Sequence, residues 1–122
     1  MIEIEEVKNT KQNISSFIKE TELINSNLSK KLGLDLKLKL ELNQPIGAFK
    51  IRGAMNAVLN LSDQYKGVTC CSTGNHGKGV AFAAQKQNKK AVICMSENVP
   101  TNKVEGIKQF GAEVKIQGAS QD

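Results

Sequence analysis

Along the first 60 residues the spacing of hydrophobic positions changes twice. Val7, Ile14, Phe17 and Ile18 recur at loose helical intervals among polar neighbours, which predicts an amphipathic helix. Leu34, Leu36, Leu38 and Leu40 then alternate with Asp35, Lys37, Lys39 and Glu41, the period of a strand with one buried face. Pro45 and Gly47 interrupt the chain, and Ile51, Ala54, Met55, Val58 and Leu59 return to helical spacing. Lys50 is therefore expected in the first turn of a helix, just behind a loop.

From Gly67 onward a different rhythm sets in. "GVTCCS" and "AVICMS" are short, almost continuously apolar runs, and "AEVKIQG" is a third, more mixed one. Between them Val80, Ala81 and Ala84, then Val104 and Ile107, recur at helical spacing, with Pro100 suited to a first helical turn and Gly111 to a helix end. Strand, helix, strand, helix, strand reads as βαβαβ, an α/β arrangement whose crossovers make the strands parallel.

Composition narrows the class. At 122 residues the chain suits one modest domain with a core. Its net charge of +5 comes from 17 Lys and Arg against 12 Asp and Glu, but the cations are scattered and only one Tyr and four Phe are available for base stacking, so no nucleic-acid partner is expected. No run approaches the ~20 apolar residues of a membrane span, and no secretory signal is visible at the start. Cys70, Cys71 and Cys94, odd in number and with two adjacent, suit neither a disulfide framework nor a metal site and point to a reducing cytoplasm.

Two stretches carry candidate chemistry. "CCSTGNHGKG" closes one expected strand and opens a helix, so its backbone N–H groups and the helix dipole face an anion, with Ser72, Thr73, Asn75 and His76 as side-chain donors. Gly74, Gly77 and Gly79 are expected to give a tight turn and close ligand approach. Their order, G-x-x-G-x-G, departs from the dinucleotide fingerprint G-x-G-x-x-G. In "QPIGAFKIRGA" Lys50 follows Phe49 among small and apolar residues. Burial there favours the neutral amine, a nucleophile able to form an imine with an aldehyde. Taken alone, Lys50 could equally reach into water, and Arg52, the one arginine, could be structural.

Together, "QPIGAFKIRGA", "CCSTGNHGKGVAFAA" and "CMSENVPTNKVEGIKQFGAEV" resemble the amino-terminal part of the fold-type-II pyridoxal-phosphate enzymes, from about Leu38 to Asp122. Within them the chain is similar to the threonine/serine dehydratase and serine racemase branch, and "CCSTGNHG", "CMS" and the closing "SQD" look closest to hydroxyectoine utilization dehydratases. The resemblance implies an incomplete three-layer, parallel-sheet fold of the tryptophan-synthase-β-like kind. Residues 1–66 would belong to the large cofactor-binding domain and residues 67–122 to a truncated small βαβαβ domain. It also implies pyridoxal 5'-phosphate as cofactor, Lys50 as the Schiff-base lysine and a catalytic residue, Phe49 beside the cofactor ring, and Asn75 on the ring's phenolic oxygen. Ser72, Thr73, Asn75 and His76 would bind the substrate carboxylate, with Thr73 a second catalytic residue near the face opposite the lysine; no metal site is expected.

The implied reaction turns a small β-hydroxy amino acid into a 2-keto acid and ammonia; racemisation is the variant within the family. Two departures stand out. "ETELI" has Glu22 where the family has a proline, and no second glycine cluster is present to hold the cofactor phosphate. The chain therefore reads as an amino-terminal portion, inactive alone, of an enzyme that is a homodimer when its carboxyl-terminal portion is present. A non-catalytic βαβ module binding a small anion or nucleotide at "STGNHG", or a remnant without function of its own, are the competing readings.

Overall fold

The computed structural model describes residues 1–120; Gln121 and Asp122, the end of the "SQD" motif, lie outside the described residues. Helix α1 spans Ile4–Ile14 and opens on a capping box in which Glu6 Oε2 accepts from the Glu3 N–H at 2.8 Å. It stops four residues short of the expected Ile18. Phe17 and Ile18 sit instead in the turn that follows, half-buried against the core, while Val7 stays exposed. Strand β1 (Leu23–Asn25) begins directly after Glu22 and pairs antiparallel with β2 (Lys37–Lys39), with the short helix α2 (Leu28–Leu32) between them. Gly33 ends α2 at φ 66°, a left-handed conformation that glycine adopts freely.

The expectation of a strand over Leu34–Leu40 with a buried face needs correcting. The alternation is real, but the strand is only three residues long, and Leu34 and Leu38 are exposed because no described element covers that side of the hairpin. A 3-10 turn over Glu41–Asn43 leads into the loop where Gly47, at φ 74°, closes a turn by donating its N–H to the Gln44 carbonyl at 2.7 Å. Helix α3 (Lys50–Leu59) starts where the sequence places it and buries Ile51, Ala54, Met55 and Val58 on one face.

Residues 67–116 form the expected βαβαβ unit. Strands β3 (Gly67–Cys71), β4 (Lys90–Met95) and β5 (Glu113–Ile116) are parallel in the order β3-β4-β5, linked by α4 (Asn75–Lys86) and α5 (Thr101–Lys108). Pro100 stands one residue outside α5 as its N-cap, and Gly111 at φ 76° turns the chain back toward β5. Helix α4 is buried almost all round, from Gly77 to Ala84, because it is gripped by the sheet, by α5 and by α3. Phe82 closes one end of this packing edge-on against Phe110, 5.5 Å between centroids. Both crossover helices lie on one face of the sheet, so the described residues build the sheet and one helical layer of the expected three. A single buried cluster runs from Ile14 through α3 and α4 to Ala112, with no break at residue 66.

Two of the three glycines in the turn do other work than expected. A Cβ at Gly77 would stand 2.8 Å from the Ser72 carbonyl oxygen, 3.0 Å from Ile93 Cγ2 and 3.1 Å from Ile107 Cδ1, so this glycine lets α4 lie against β4 and α5. A Cβ at Gly79 would meet Ala54 Cβ at 3.2 Å and the Lys50 carbonyl oxygen at 3.3 Å, so this one lets α4 cross the start of α3. Gly74, the helix N-cap, has open space around it. Gly77→Ala is accordingly expected to destabilise the chain by about 1–3 kcal/mol, since backbone cannot yield to the added methyl. Gly74→Ala should cost under about 1 kcal/mol, and urea midpoints of the two variants at unchanged slope check the contrast.

Candidate active site

Burial between Gln44 and Ile51 alternates. Gln44, Ile46, Ala48 and Ile51 point inward, with Ile46 1 % exposed, while Phe49 and Lys50 turn outward. The expectation that Lys50 is surrounded by apolar groups is thus corrected: its apolar sequence neighbours face the core and its own side chain is exposed, with Nζ 5.1 Å from the centroid of the Phe49 ring. Phe49 is 58 % exposed and borders an open groove of about 490 Å³ that also touches Ile18, Lys39, Glu41 and Arg52. In this chain the lysine and its aromatic neighbour therefore form one open wall rather than an enclosed pocket.

The second wall is the turn between β3 and α4. Ser72 is buried; its N–H donates to the Cys94 carbonyl at 3.0 Å and its Oγ accepts from the Gly74 N–H at 3.3 Å, which folds the turn back on itself. Thr73 is half-buried, and Asn75 and His76 are exposed as the first two residues of α4. The first N–H groups of a helix have no partner within it and suit an anion. His76 also lines a cavity of about 290 Å³ with Gly53, Ala54, Val58, Cys70 and Val80, so it lies on the α3 side of the turn.

Packing links the two walls. Gly79, which abuts the Lys50 main chain, is four residues beyond Asn75, so that contact lies about 6 Å along α4 from its amino end. Ser72, Thr73, Asn75 and His76 are brought together on one turn. Lys50 and Phe49 share the neighbouring helix start, and their side chains face solvent.

Sequence reasoning missed the polar cluster that anchors α3. Arg52 grips Glu41 with both ends of its fork, Nε to Oε2 at 2.9 Å and a terminal nitrogen to Oε1 at 2.7 Å. Thr21 Oγ1 donates to the same carboxylate at 2.5 Å and Gln44 Nε2 at 3.3 Å. The buried Gln44 also bonds the Lys19 N–H and carbonyl, at 3.0 and 2.8 Å. Arg52 is therefore structural, and no regular spacing in the sequence connects residues 21, 41, 44 and 52. These contacts, the arginine's above all and against a smaller opposing effect of burial, lower the Glu41 pKa from 4.5 to about 2.

Two walls thus stand at neighbouring helix starts beside a parallel sheet, one with an exposed amine at Lys50 and one with the unpaired N–H groups that open α4. The family of pyridoxal-phosphate dependent enzymes matches residues 14–122, and the chain belongs to it. It is 43 % identical over 124 residues to a putative threonine dehydratase of Sinorhizobium fredii, covering 99 % of this chain and 37 % of that protein. Among solved structures it is similar to maize serine racemase, with a TM-score of 0.91 and 35 % identity over 97 % of this chain and 37 % of the other. The processed threonine deaminase isoform 2 of Solanum lycopersicum gives a TM-score of 0.83 and 32 % identity over 99 % and 38 %. The chain thus spans a little over a third of the length of these relatives.

The residues present fit one end of the cofactor. Lys50 offers an accessible amine beside an uncovered aromatic face, and the chain has no second glycine cluster for the phosphate.

Because the Glu41 pKa is depressed on folding, the carboxylate adds stability above about pH 4.5 and loses it as pH falls through about 2. Glu41→Gln is expected to cost about 1–2 kcal/mol at neutral pH, the lower part of the range for charged hydrogen bonds because Arg52 is a third exposed. The difference in urea midpoint between this variant and the parent should hold above pH 5 and shrink between pH 4.5 and 2.

Proposed function

We propose that this chain is part of a pyridoxal-phosphate-dependent ammonia-lyase that dehydrates a small β-hydroxy amino acid of the threonine or serine kind. One observation supports the reading: at Gly79, four residues along α4 from Asn75, the helix carries no side chain and packs on the Lys50 carbonyl, so the start of α3 and the start of α4 are neighbours. Similarity to a putative threonine dehydratase and to a threonine deaminase supports dehydration, with racemisation, the activity in the name of the similar maize enzyme, as the variant reading.

Lys50 would hold the cofactor through Nζ and, when freed, would take the substrate α-proton as general base. Bound there, pyridoxal phosphate supplies an electron sink for the charge left at the α-carbon. Ser72, Thr73, Asn75 and His76, with the first N–H groups of α4, hold the substrate carboxylate and so fix which α-bond faces Lys50. By the same reading Thr73 would act near the face of the cofactor opposite Lys50, Asn75 would donate to its phenolic oxygen, and Phe49 would lie beside its ring. Departure of the β-hydroxyl and hydrolysis then give a 2-keto acid and ammonia.

In a protein of the relatives' length, further chain would supply the phosphate contacts and complete a large domain begun by residues 1–66, residues 67–122 would lie in the small domain, and a second copy would complete a homodimer. Three free cysteines among the described residues support a cytoplasmic setting. No helix among the described residues is long and apolar enough to cross a membrane.

Incubation of the 122-residue chain with pyridoxal phosphate followed by borohydride should label Lys50 ahead of its other lysines, and the preference should vanish in Lys50→Ala with the folded signal intact. Keto acid should not accumulate from the chain alone. Uniform labelling of surface lysines, or carboxylate binding at α4 that needs neither Lys50 nor aldehyde, would instead support a simple anion-binding module.

A further inference from the structure

The three cysteines have no part in the proposed reaction, yet two of them are placed as a pair. Cys71 and Cys94 are Cα partners in the parallel ladder of β3 and β4, so their side chains leave the same face of the sheet. That face points away from the helices, since Ile93, the neighbour of Cys94, packs under α4 at Gly77. Cys70, one residue earlier, faces the other way and packs against the core. Its thiol pKa is pushed up by burial first, and then by Cys71 and Cys94 close by. Cys71 is exposed, Cys94 half-buried, and both border one small cavity of about 70 Å³ with Met95 and Ser96.

We propose that Cys71 and Cys94 form a thiol modification site, a dithiol on the open face of the sheet that closes to a disulfide when a peroxide supplies the oxidising equivalents. The exposed Cys71 sulfur attacks the peroxide, the O–O bond breaks, and a sulfenic acid and one water result. Cys94 sulfur then attacks that sulfur, the S–S bond forms, and the second water leaves with the Cys94 proton. Two thiols lose two electrons and the peroxide becomes two waters.

Strand neighbours lie about 4.8 Å apart, within the ~4.4–6.8 Å between the Cα atoms of a disulfide. The Cβ atoms must come closer, to about 3.5–4.5 Å, so closure draws one strand end inward. Cys71 is the last residue of β3, and β3 lies at the edge of the described sheet, so it is this strand end that closure would draw toward β4. A bond closed under strain is readily reduced, which suits a reversible mark. The next residue, Ser72, is already hooked to the Cys94 carbonyl, so the bridge pulls directly on the turn. That last consequence rests on the proposed function; the bridge itself does not.

The test treats the 122-residue chain with hydrogen peroxide at neutral pH, caps remaining thiols with N-ethylmaleimide, and reads intact mass and non-reduced peptides. The expected product is a monomer two hydrogens lighter that takes one maleimide, on Cys70, and takes three after dithiothreitol. The bridge should persist in Cys70→Ser, disappear in Cys71→Ser and Cys94→Ser, and form several-fold more slowly in urea, where the register is lost. Bridging at the parent rate in Cys71→Ser, bridges only between molecules, or three maleimides after peroxide would each overturn the proposal. Since neither cofactor nor Lys50 enters this experiment, its failure leaves the enzymatic reading untouched, and failure of that reading leaves this one.

Discussion

Both walls of the candidate site hang on how closely α4 can approach its neighbours, and that approach is possible only where Gly77 and Gly79 present no side chain. At Gly77 the helix rests on the Ser72 carbonyl and on Ile93 and Ile107, which holds the turn 72–76 at the end of β3. Two residues later, at Gly79, the same helix meets the Lys50 carbonyl and Ala54. A methyl at either point would push one wall of the candidate site away by tenths of an ångström, because packed interiors deform little without loss. Position of the lysine and position of the turn 72–76 are in this sense one constraint seen from two sides of a helix.

A second anchor works from the opposite direction. The fork of Arg52 on Glu41, with Thr21 and Gln44 on the same carboxylate, ties the second residue after Lys50 to the segment 19–21 and to the 3-10 turn. Its geometry is planar and bidentate, so it fixes the rotation of the first turn of α3 as well as its distance. Lys50 is thus located by apolar contact on its inner side and by charge two residues on, while its own amine stays accessible.

Much of this architecture could be read from the residues. The parallel unit was legible because "GVTCCS" and "AVICMS" are continuously apolar, the mark of strands covered by helices, and because glycines and Pro100 punctuate the helices between. The start of α3 at Lys50 followed from Pro45, Gly47 and the spacing of Ile51, Ala54, Met55 and Val58. What stayed hidden depends on direction and distance. Apolar neighbours suggested burial for Lys50, but in the loop Ile46 and Ala48 turn inward as Phe49 turns out, and a list of neighbours does not carry that alternation. The leucines 34–40 gave the right period and the wrong burial, because what covers a face is a tertiary matter. Gly77 and Gly79 looked like ligand-facing positions, and only the contacts of an added Cβ show them to be packing positions. The Glu41 cluster joins residues of unrelated spacing and leaves no local trace.

The hairpin of β1 and β2 bears on how this chain opens. None of the apolar residues from Leu23 to Leu40 belongs to the buried cluster, so the pair of strands and α2 can open at less cost in buried apolar contact than the elements around α4. Amide protons in that stretch should then trade with solvent through excursions far smaller than global unfolding, while those of α4 wait for the whole molecule. The chain is in this respect two layers of persistence, a lasting centre and an arm that detaches and returns.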